Sequence, residues 1–298
     1  MNKLALLATL LIGFLANNVF AQINIDGSST VYPIGLVVSV DFNIDTPEAQ
    51  ISVAFSGTGG GFSKFCAGET QVSMASRPIK QDEIDACGAA GIEYIEVPVA
   101  YDALTVVVNP ANDWVECVTV DQLRAIWEPG STVSTWADVD PSWPAEPLVL
   151  YGAGTDSGTF DYFTEAIMGE SGSSRSDYFP SEDDVVLVQG VEGDANALGY
   201  FGLAYYLEEG ERLKALEVDG GAGCVAPNAD NVNNGTYTPL SRPLFFYINK
   251  AAADADPNLV SFVEFMISED GRELIAGTGY VELPEEMYTE ALATFQNR

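Results

Sequence analysis

Residues 97–109 read VPVAYDALTVVVN, and this stretch decides the architecture. It is dominated by β-branched and other apolar residues, which favour extended backbone. It is also longer than the common strand of five or six residues. We therefore expect it to run out of one lobe of the protein and into another.

Shorter segments on both sides of this run alternate between strand and helix. Before it, strands are predicted at residues 22–26, 51–55, 72–75 and 92–97, and helices at 33–43 and in the segment that ends at 66. After it, strands are predicted at 148–151, 185–189, 199–201 and 244–248, and helices at 120–127, 160–168 and 260–275. This alternation indicates an α/β fold with mostly parallel strands. The strand at 244–248 is the candidate for a return crossing, and the helix at 260–275 is expected to close the chain.

The first 21 residues have the composition of a secretory signal peptide. Lys3 gives the segment a positively charged amino-terminal end, and residues 4–15 are almost wholly apolar. Residues 19–21 (VFA) end on a small residue, as at a cleavage site. We expect cleavage near Ala21 and export of a mature protein that begins near Gln22. The apolar run is shorter than the roughly 20 residues that span a bilayer. A membrane anchor is the alternative, and this segment has no cysteine for lipid attachment.

Charge and missing residue types exclude several classes of function. The formal net charge of −32 repels nucleic acid and anionic membranes, and we interpret it as solubility in saline surroundings, with cation capture as the alternative. A bound anion would need short-range hydrogen bonds and one or two local cations. Because histidine is absent, triads that rely on it are excluded. With no CxxC pair either, no zinc site is expected. We expect neither an enzyme nor a cofactor.

Four turns rich in Gly, Ser and Thr each follow a predicted strand. They are residues 27–30, 56–61, 76–77 and 154–159. In an open α/β sheet, such turns lie at the carboxyl ends of the strands, where ligands bind. The helices that follow offer unpaired amides and a positive dipole end. Each turn alone is an ordinary helix cap, but four together predict a site for a small tetrahedral anion.

Arg77 is the cation that the sequence places among these turns. Only 12 lysines and arginines occur in the chain, and this one stands in a short turn after an apolar strand. A guanidinium can hold an oxyanion with two parallel hydrogen bonds. A structural ion pair with a nearby carboxylate is the rival interpretation.

Five motifs, in this order, resemble the PstS family of periplasmic phosphate-binding proteins of ABC transporters, in particular its SphX-like branch. They are residues 26–33 (DGSSTVYP), 56–62 (SGTGGGF), 74–79 (MASRPI), 154–163 (GTDSGTFDYF) and 241–248 (SRPLFFYI). The resemblance covers essentially the whole mature chain. It implies a type II periplasmic-binding-protein fold, in which two hinge strands join two α/β lobes and the ligand cleft lies between them. Lobe 1 would hold residues 22–100 plus 241–298, and lobe 2 residues 101–240.

The resemblance also implies a set of phosphate contacts. Carried over position by position, they are Ser29, Thr30, Ser56, Gly57, Thr58, Ser76, Arg77, Asp156, Ser157, Gly158 and Thr159. Many relatives have an arginine where this chain has Ala153, and an aspartate where it has Ser76. We therefore expect Arg77 to be the sole cation and Asp156 to accept the proton of the ligand. A buried carboxylate would be left unpaired against sulfate, which carries no proton.

The expected function is capture of inorganic phosphate, closure of the lobes around it, and delivery by a monomer to the membrane permease of an ABC transporter. Rival ligands are sulfate, molybdate and phosphonates, and the rival classes are a phosphoester hydrolase that uses Ser157 and a scavenger or adhesion module. Four cysteines in an exported chain suggest two disulfides, with three possible pairings. The implied lobes favour Cys66–Cys87 and Cys117–Cys224, because each bond would then lie within one lobe.

Overall fold

The computed structural model describes residues 22–155, 157–181, 183–209 and 212–298. The predicted signal peptide at residues 1–21 and the candidate proton acceptor Asp156 lie outside these residues. Within them are twelve strands and thirteen α-helices. The strands are β1 (Asn24–Gly27), β2 (Ser52–Val53), β3 (Val72–Ala75), β4 (Tyr94–Val108), β5 (Cys117–Thr119), β6 (Val149–Ala153), β7 (Phe179–Ser181), β8 (Ala197–Gly202), β9 (Lys214–Ala215), β10 (Glu217–Asp219), β11 (Cys224–Val225) and β12 (Ser241–Asn249).

The helices fill the segments between the strands and the carboxyl-terminal region. They are α1 (Tyr32–Asp45), α2 (Thr58–Cys66), α3 (Gln81–Ala89), α4 (Val120–Trp127), α5 (Trp136–Val139), α6 (Gly158–Met168), α7 (Asp184–Gly193), α8 (Leu203–Glu209), α9 (Ala229–Asn233), α10 (Lys250–Ala255), α11 (Pro257–Ile267), α12 (Glu269–Ala276) and α13 (Glu285–Gln296). No helix among the described residues has both the length and the apolar run needed to cross a bilayer.

The long predicted strand is confirmed, and it crosses between two sheet regions. The amino-terminal part of β4 pairs with β12, from Tyr94 opposite Asn249 to Ala103 opposite Ser241. Its carboxyl-terminal part, from Leu104, pairs with β8 instead. The strand order is β2-β1-β3-β12-β4-β8-β6-β7, with β9 added on β4. A separate three-stranded sheet has the order β11-β10-β5.

The sheet is mixed, so the expectation of mostly parallel strands is wrong. Strands β1, β2 and β3 are parallel, as are β6, β7 and β8. The crossing strands β4 and β12 run antiparallel to each other and to the neighbours β8 and β3. One crossing strand leads the chain away and the other leads it back, and this produces the antiparallel pairs in the middle.

Two large hydrophobic cores lie on either side of the crossing strands. Buried residues of the first core come from positions 23–100 and 244–295, and those of the second from 103–240 together with Val281. We call the parts that pack on these cores the first half and the second half. Val281 and Tyr101 exchange main-chain hydrogen bonds of 2.8 and 2.9 Å, so the segment before α13 is also tied to β4.

Two predicted elements are wrong. Residues 185–189 lie in helix α7 and not in a strand. The Asp183 side chain caps this helix, and Leu187, Val188 and Val191 are buried at helical spacing. The single helix expected at 260–275 is two helices, because the Ser268 side chain accepts a hydrogen bond from the Gly271 amide and begins α12. Helix α13, and not this segment, closes the chain.

Both favoured disulfides are confirmed. Cys66 is bonded to Cys87 in the first half, and Cys117 to Cys224 in the second. The second bond links β5 to β11, the two outer strands of the three-stranded sheet.

Candidate functional site

Three of the predicted turns meet at one edge of the sheet because β1, β2 and β3 are parallel. Ser29 and Thr30 follow β1, Thr58 begins the helix after β2, and Ser76 and Arg77 follow β3. The carboxyl ends of parallel strands share an edge, and this edge is where open α/β sheets bind ligands. The first half therefore presents hydroxyls, amides and a guanidinium on one surface.

A cavity of about 190 Å³, the first cavity, lies against these turns. Its lining is Ser28, Ser29, Thr30, Gly57, Thr58, Gly59, Ser76, Arg77, Asp161, Glu165, Ser171 and Arg242. The first half and β12 contribute hydroxyls, two arginines and the start of helix α2. The second half contributes Ser171 and two carboxylates.

A second cavity of about 210 Å³ has Ser29 and Thr30 in common with the first. Its lining is Ser29, Thr30, Pro33, Asp102, Ser157, Gly158, Thr159, Asp184, Gly202, Tyr205, Thr278, Gly279 and Tyr280. The start of helix α6, from the second half, thus faces the Ser29–Thr30 turn from the opposite side.

The predicted site residues are close together but do not all line one cavity, which corrects the expectation of a single pocket. Ser157, Gly158 and Thr159 line the second cavity only, and Gly158 lies against Thr30, which lines both cavities. Ser56 lines neither cavity, since its hydroxyl donates to Asp26 Oδ1 at 2.5 Å.

Helix α2 begins without a capping side chain. Gly57, its N-cap residue, has a φ of +78°, a value in the left-handed region that favours glycine. No acidic residue stands in the first turn. The first amides of a helix have no acceptor within the helix, so those of Thr58 and Gly59 are available at the wall of the first cavity. An anion is the natural partner for such a helix start.

Thr58 and Ser76 join the second and third turns. The Ser76 amide donates to Thr58 Oγ1 at 3.2 Å, and the two hydroxyl oxygens are 3.1 Å apart. Ser76 is buried. These hydroxyls are therefore held in place before any ligand binds.

Arg77 lines the first cavity, but its guanidinium already holds a carboxylate. Nη1 and Nη2 donate to the two carboxylate oxygens of Glu83 at 2.9 and 2.8 Å. The hydrogen bonds to Glu83 raise the pKa of Arg77 above its ordinary value. The rival interpretation, a structural ion pair, is the arrangement present in this structure.

Arg242, on crossing strand β12, is a second arginine that the sequence reasoning missed. Its Nε donates to Asp102 Oδ2 at 3.2 Å, and Nη2 donates to Thr30 Oγ1 at 3.1 Å. Its Cζ lies 3.7 Å from the centre of the Tyr162 ring. Burial raises the pKa of Asp102, and the charge of Arg242 opposes that rise. The expectation that Arg77 is the sole cation at the site is wrong.

The two halves touch at Thr30. A Cβ atom built on Gly158 would lie 3.0 Å from Thr30 Oγ1 and 3.2 Å from Thr30 Cα. The Tyr280 hydroxyl donates to the Thr30 carbonyl at 2.5 Å. Helix α6 and Tyr280 thus hold the Ser29–Thr30 turn from two directions.

Comparison with known proteins supports the family that the motifs indicated. A family model described as a PBP superfamily domain matches residues 16–270. Protein SphX of Synechocystis sp. is 47% identical over 294 residues, with 97% of this chain and 87% of that protein covered. Phosphate-binding protein PstS of Staphylococcus saprophyticus is 36% identical over 266 residues, which cover 89% of this chain and 81% of that protein. The chain belongs to the PstS family, on its SphX-like branch.

A solved structure supports the fold of this PstS-family chain. It is described as a possible phosphate binding protein from Planctomyces limnophilus. The TM-score is 0.89 at 46% identity, and the match covers 94% of this chain and 99% of that one. The architecture is the type II periplasmic-binding-protein fold.

Ala153 and Ser76 are the two positions where the resemblance implied a charged residue in many relatives. Ala153, at the end of β6, is buried and brings no charge, and Ser76 stands in the third turn. The cation that accompanies Arg77 comes instead from Arg242, which lies in the 241–248 motif. That motif indicated the family resemblance, but its arginine was not predicted as a site residue, although it was the available signal for a second cation. Among the described residues, no group of three or more His, Cys, Asp or Glu could hold a metal ion.

Proposed function

We propose that this protein captures inorganic phosphate between its two halves outside the cytoplasm and delivers it to the membrane permease of an ABC transporter. One observation carries the proposal. Hydroxyls and helix starts from both halves meet around the Ser29–Thr30 turn. Donors of this kind suit a small tetrahedral oxyanion, and the relatives named as phosphate-binding proteins favour phosphate.

The halves are proposed to be the two lobes of a hinged binding protein. Residues 22–100 plus 241–298 would form lobe 1, and residues 101–240 lobe 2. The two separate cores support this division. Strands β4 and β12 would be the hinge, and the ligand would shift the lobes toward the closed state because that state adds contacts.

In the proposed site, phosphate lies against the turn that both cavities share. Its contacts are Ser29, Thr30, Ser56, Gly57, Thr58, Ser76 and Arg77 from lobe 1, with Ser157, Gly158 and Thr159 from lobe 2. Asp156 is proposed to accept the ligand proton. The start of α6 already rests on Thr30 in this structure, so the closed state would have to shift this turn for Ser157, Gly158 and Thr159 to reach the same anion. Ser56 would have to turn its hydroxyl away from Asp26. Arg77 would donate through Nε and the Nη2 hydrogen that Glu83 does not use.

The proposed cycle is binding without chemistry. Receptor-type relatives fit a protein that is not an enzyme, and the chain has no histidine to serve as a general base. We propose that residues 1–21 direct export and are removed near Ala21. The mature chain would work as a periplasmic monomer.

Isothermal titration calorimetry with phosphate tests this function. We expect a micromolar or tighter dissociation constant, which corresponds to about −8 kcal/mol or better, and no heat from sulfate. Saturating phosphate should abolish any heat from molybdate or a phosphonate. Sulfate that binds as tightly as phosphate would show that the site takes a different oxyanion.

A variant tests whether the measured heat comes from binding at this site. Thr58→Val keeps the side-chain shape and removes the hydroxyl, so we expect a loss of about 1.5–3 kcal/mol, the usual size for a hydrogen bond to a charged group. Thr289→Val, in helix α13, removes an exposed hydroxyl bonded to Glu285 and is the matched control. Equal affinities for the two variants would place the anion elsewhere.

A further inference from the structure

The two arginines of the first cavity are held by different sets of partners. Both terminal nitrogens of Arg77 are bonded to Glu83, and Nη1 also donates to the Pro78 carbonyl at 3.1 Å. Glu83 is itself fixed, because it accepts the Lys80 amide at 2.8 Å in the first turn of helix α3. Within the described residues, Nε and the second hydrogen of Nη2 form no hydrogen bond, so Arg77 can donate to an anion only from the side of the guanidinium that Glu83 does not occupy.

In Arg242, the terminal nitrogen Nη1 is not hydrogen-bonded to a carboxylate. Its Nε and Nη2 are bonded to Asp102 and Thr30. The carboxylate paired with Nη1 is that of Glu165, which is largely exposed. The two atoms are 3.7 Å apart, which is too far for a hydrogen bond. Within the described part of the chain, Nη1 forms no hydrogen bond. Its donors are therefore available at the first cavity.

The surroundings of Arg242 hold its guanidinium rigidly in a partly dehydrated place. The side chain is only 15% exposed and Asp102 only 6%. The Tyr162 ring covers one face of the guanidinium and is itself buried. Charge-assisted hydrogen bonds are stronger where water is excluded, and a group that is already positioned loses little entropy when it binds.

We propose that Arg242, through Nη1, makes the main charged contact to the bound anion, and that Asp102 and Tyr162 are the residues that position it. This inference rests on the proposed function and adds a residue to its site. Arg242 lies on a crossing strand and touches Thr30 in the first half and Tyr162 in the second. The same side chain therefore contacts the anion and both halves of the protein.

Titration of phosphate into three glutamine variants tests the proposal. We expect Arg242→Gln to weaken binding by about 10-fold or more and Arg77→Gln by less than about threefold. The reason is that the Arg242 side chain is the less exposed of the two, at 15% against 26%, and charge-assisted hydrogen bonds are stronger where water is excluded. Arg272→Gln is the matched control. Arg272 also lies over a tyrosine, Tyr288, and pairs with a carboxylate, Glu285, but it lines neither cavity.

The variant Glu165→Gln provides an independent test, because it leaves the buried ion pair between Arg242 and Asp102 intact. It removes the carboxylate nearest to Nη1, so phosphate should bind about two- to fivefold more tightly. High salt should reduce this gain in affinity, because Glu165 is exposed and its charge is screened. Glu170→Gln, just beyond the same helix and outside both cavities, should leave the affinity unchanged.

Loss of Arg242 leaves Asp102 as an unpaired buried charge, which can destabilise the fold. The double variant Arg242→Gln with Asp102→Asn replaces the ion pair by neutral groups, so no unpaired charge is left buried. We expect it to unfold near the wild-type temperature and still bind phosphate about 10-fold or more weakly. A folded double variant with wild-type affinity, or a larger loss for Arg77→Gln than for Arg242→Gln, overturns the assignment alone. A wild-type protein that binds no phosphate overturns the proposed function and the assignment together.

Discussion

Gly158 offers a direct test of whether close contact between the halves is needed for binding. Its missing side chain lets the start of helix α6 rest on Thr30. An alanine Cβ would lie 3.2 Å from Thr30 Cα, whereas carbon atoms in contact are about 3.5–4.0 Å apart. Because the obstacle includes main chain, rotation of the Thr30 side chain cannot remove the overlap. The two halves have to move apart by a few tenths of an ångström.

The expected cost of Gly158→Ala follows from this overlap. Overpacking by one methyl group costs about 1–3 kcal/mol, which is about a 5- to 150-fold loss of affinity if the cost falls on the closed state. The unfolding temperature of the free protein should change little in the open state, where the overlap with Thr30 is absent, because Gly158 is the first residue of α6 and not an interior one. Gly158 is not in the left-handed region, so alanine adds no backbone strain.

Calorimetry with phosphate and thermal unfolding of the same samples separate these two effects. Gly88→Ala, in helix α3, is the control, because a Cβ there meets no atom within 4 Å. We expect Gly158→Ala to lose affinity and keep its unfolding temperature, and Gly88→Ala to keep its affinity. Wild-type affinity in Gly158→Ala would refute the idea that the α6–Thr30 contact matters for binding.

Two further predictions concern groups beside the site. Tyr280→Phe removes the hydrogen bond to the Thr30 carbonyl, so phosphate affinity should fall by about 0.5–1.5 kcal/mol, and unchanged calorimetry would count against a positioning role. Burial alone would raise the pKa of Asp26, but hydrogen bonds from Lys64 and Ser56 lower it overall. A lowered pKa stabilises the fold above the unfolded value of about 3.9, and this stability is lost as the pH falls through the folded value. Lys64→Gln should therefore shift the acid-unfolding midpoint, followed by circular dichroism, to higher pH, and an identical midpoint would be contrary to this reasoning.

Elements with strong local signals were predictable from the sequence. Strand β3 and helix α4 have the expected bounds, and the Thr119 side chain caps α4. The signals there are a short apolar run between polar turns and a capping residue before a periodic segment. The long run at 97–109 likewise predicted a crossing strand, because no compact lobe needs a strand of that length.

Elements that depend on tertiary context were not predictable in the same way. The β-branched composition of residues 185–189 favours a strand, but burial of one face against β8 and the Asp183 cap makes the segment helical. The role of Arg242 could not be found by spacing, since its contact Thr30 is 212 residues away in the sequence. The ion pair between Arg77 and Glu83 depends on where helix α3 places its first turn.

A crystal structure of the mature protein grown with phosphate tests the central claim most directly. We predict density for one tetrahedral anion against the Ser29–Thr30 turn, within hydrogen-bonding distance of the starts of α2 and α6. Anion density confined to one half, or bound on an outer surface with the space around Thr30 occupied by water alone, would contradict capture between the two halves.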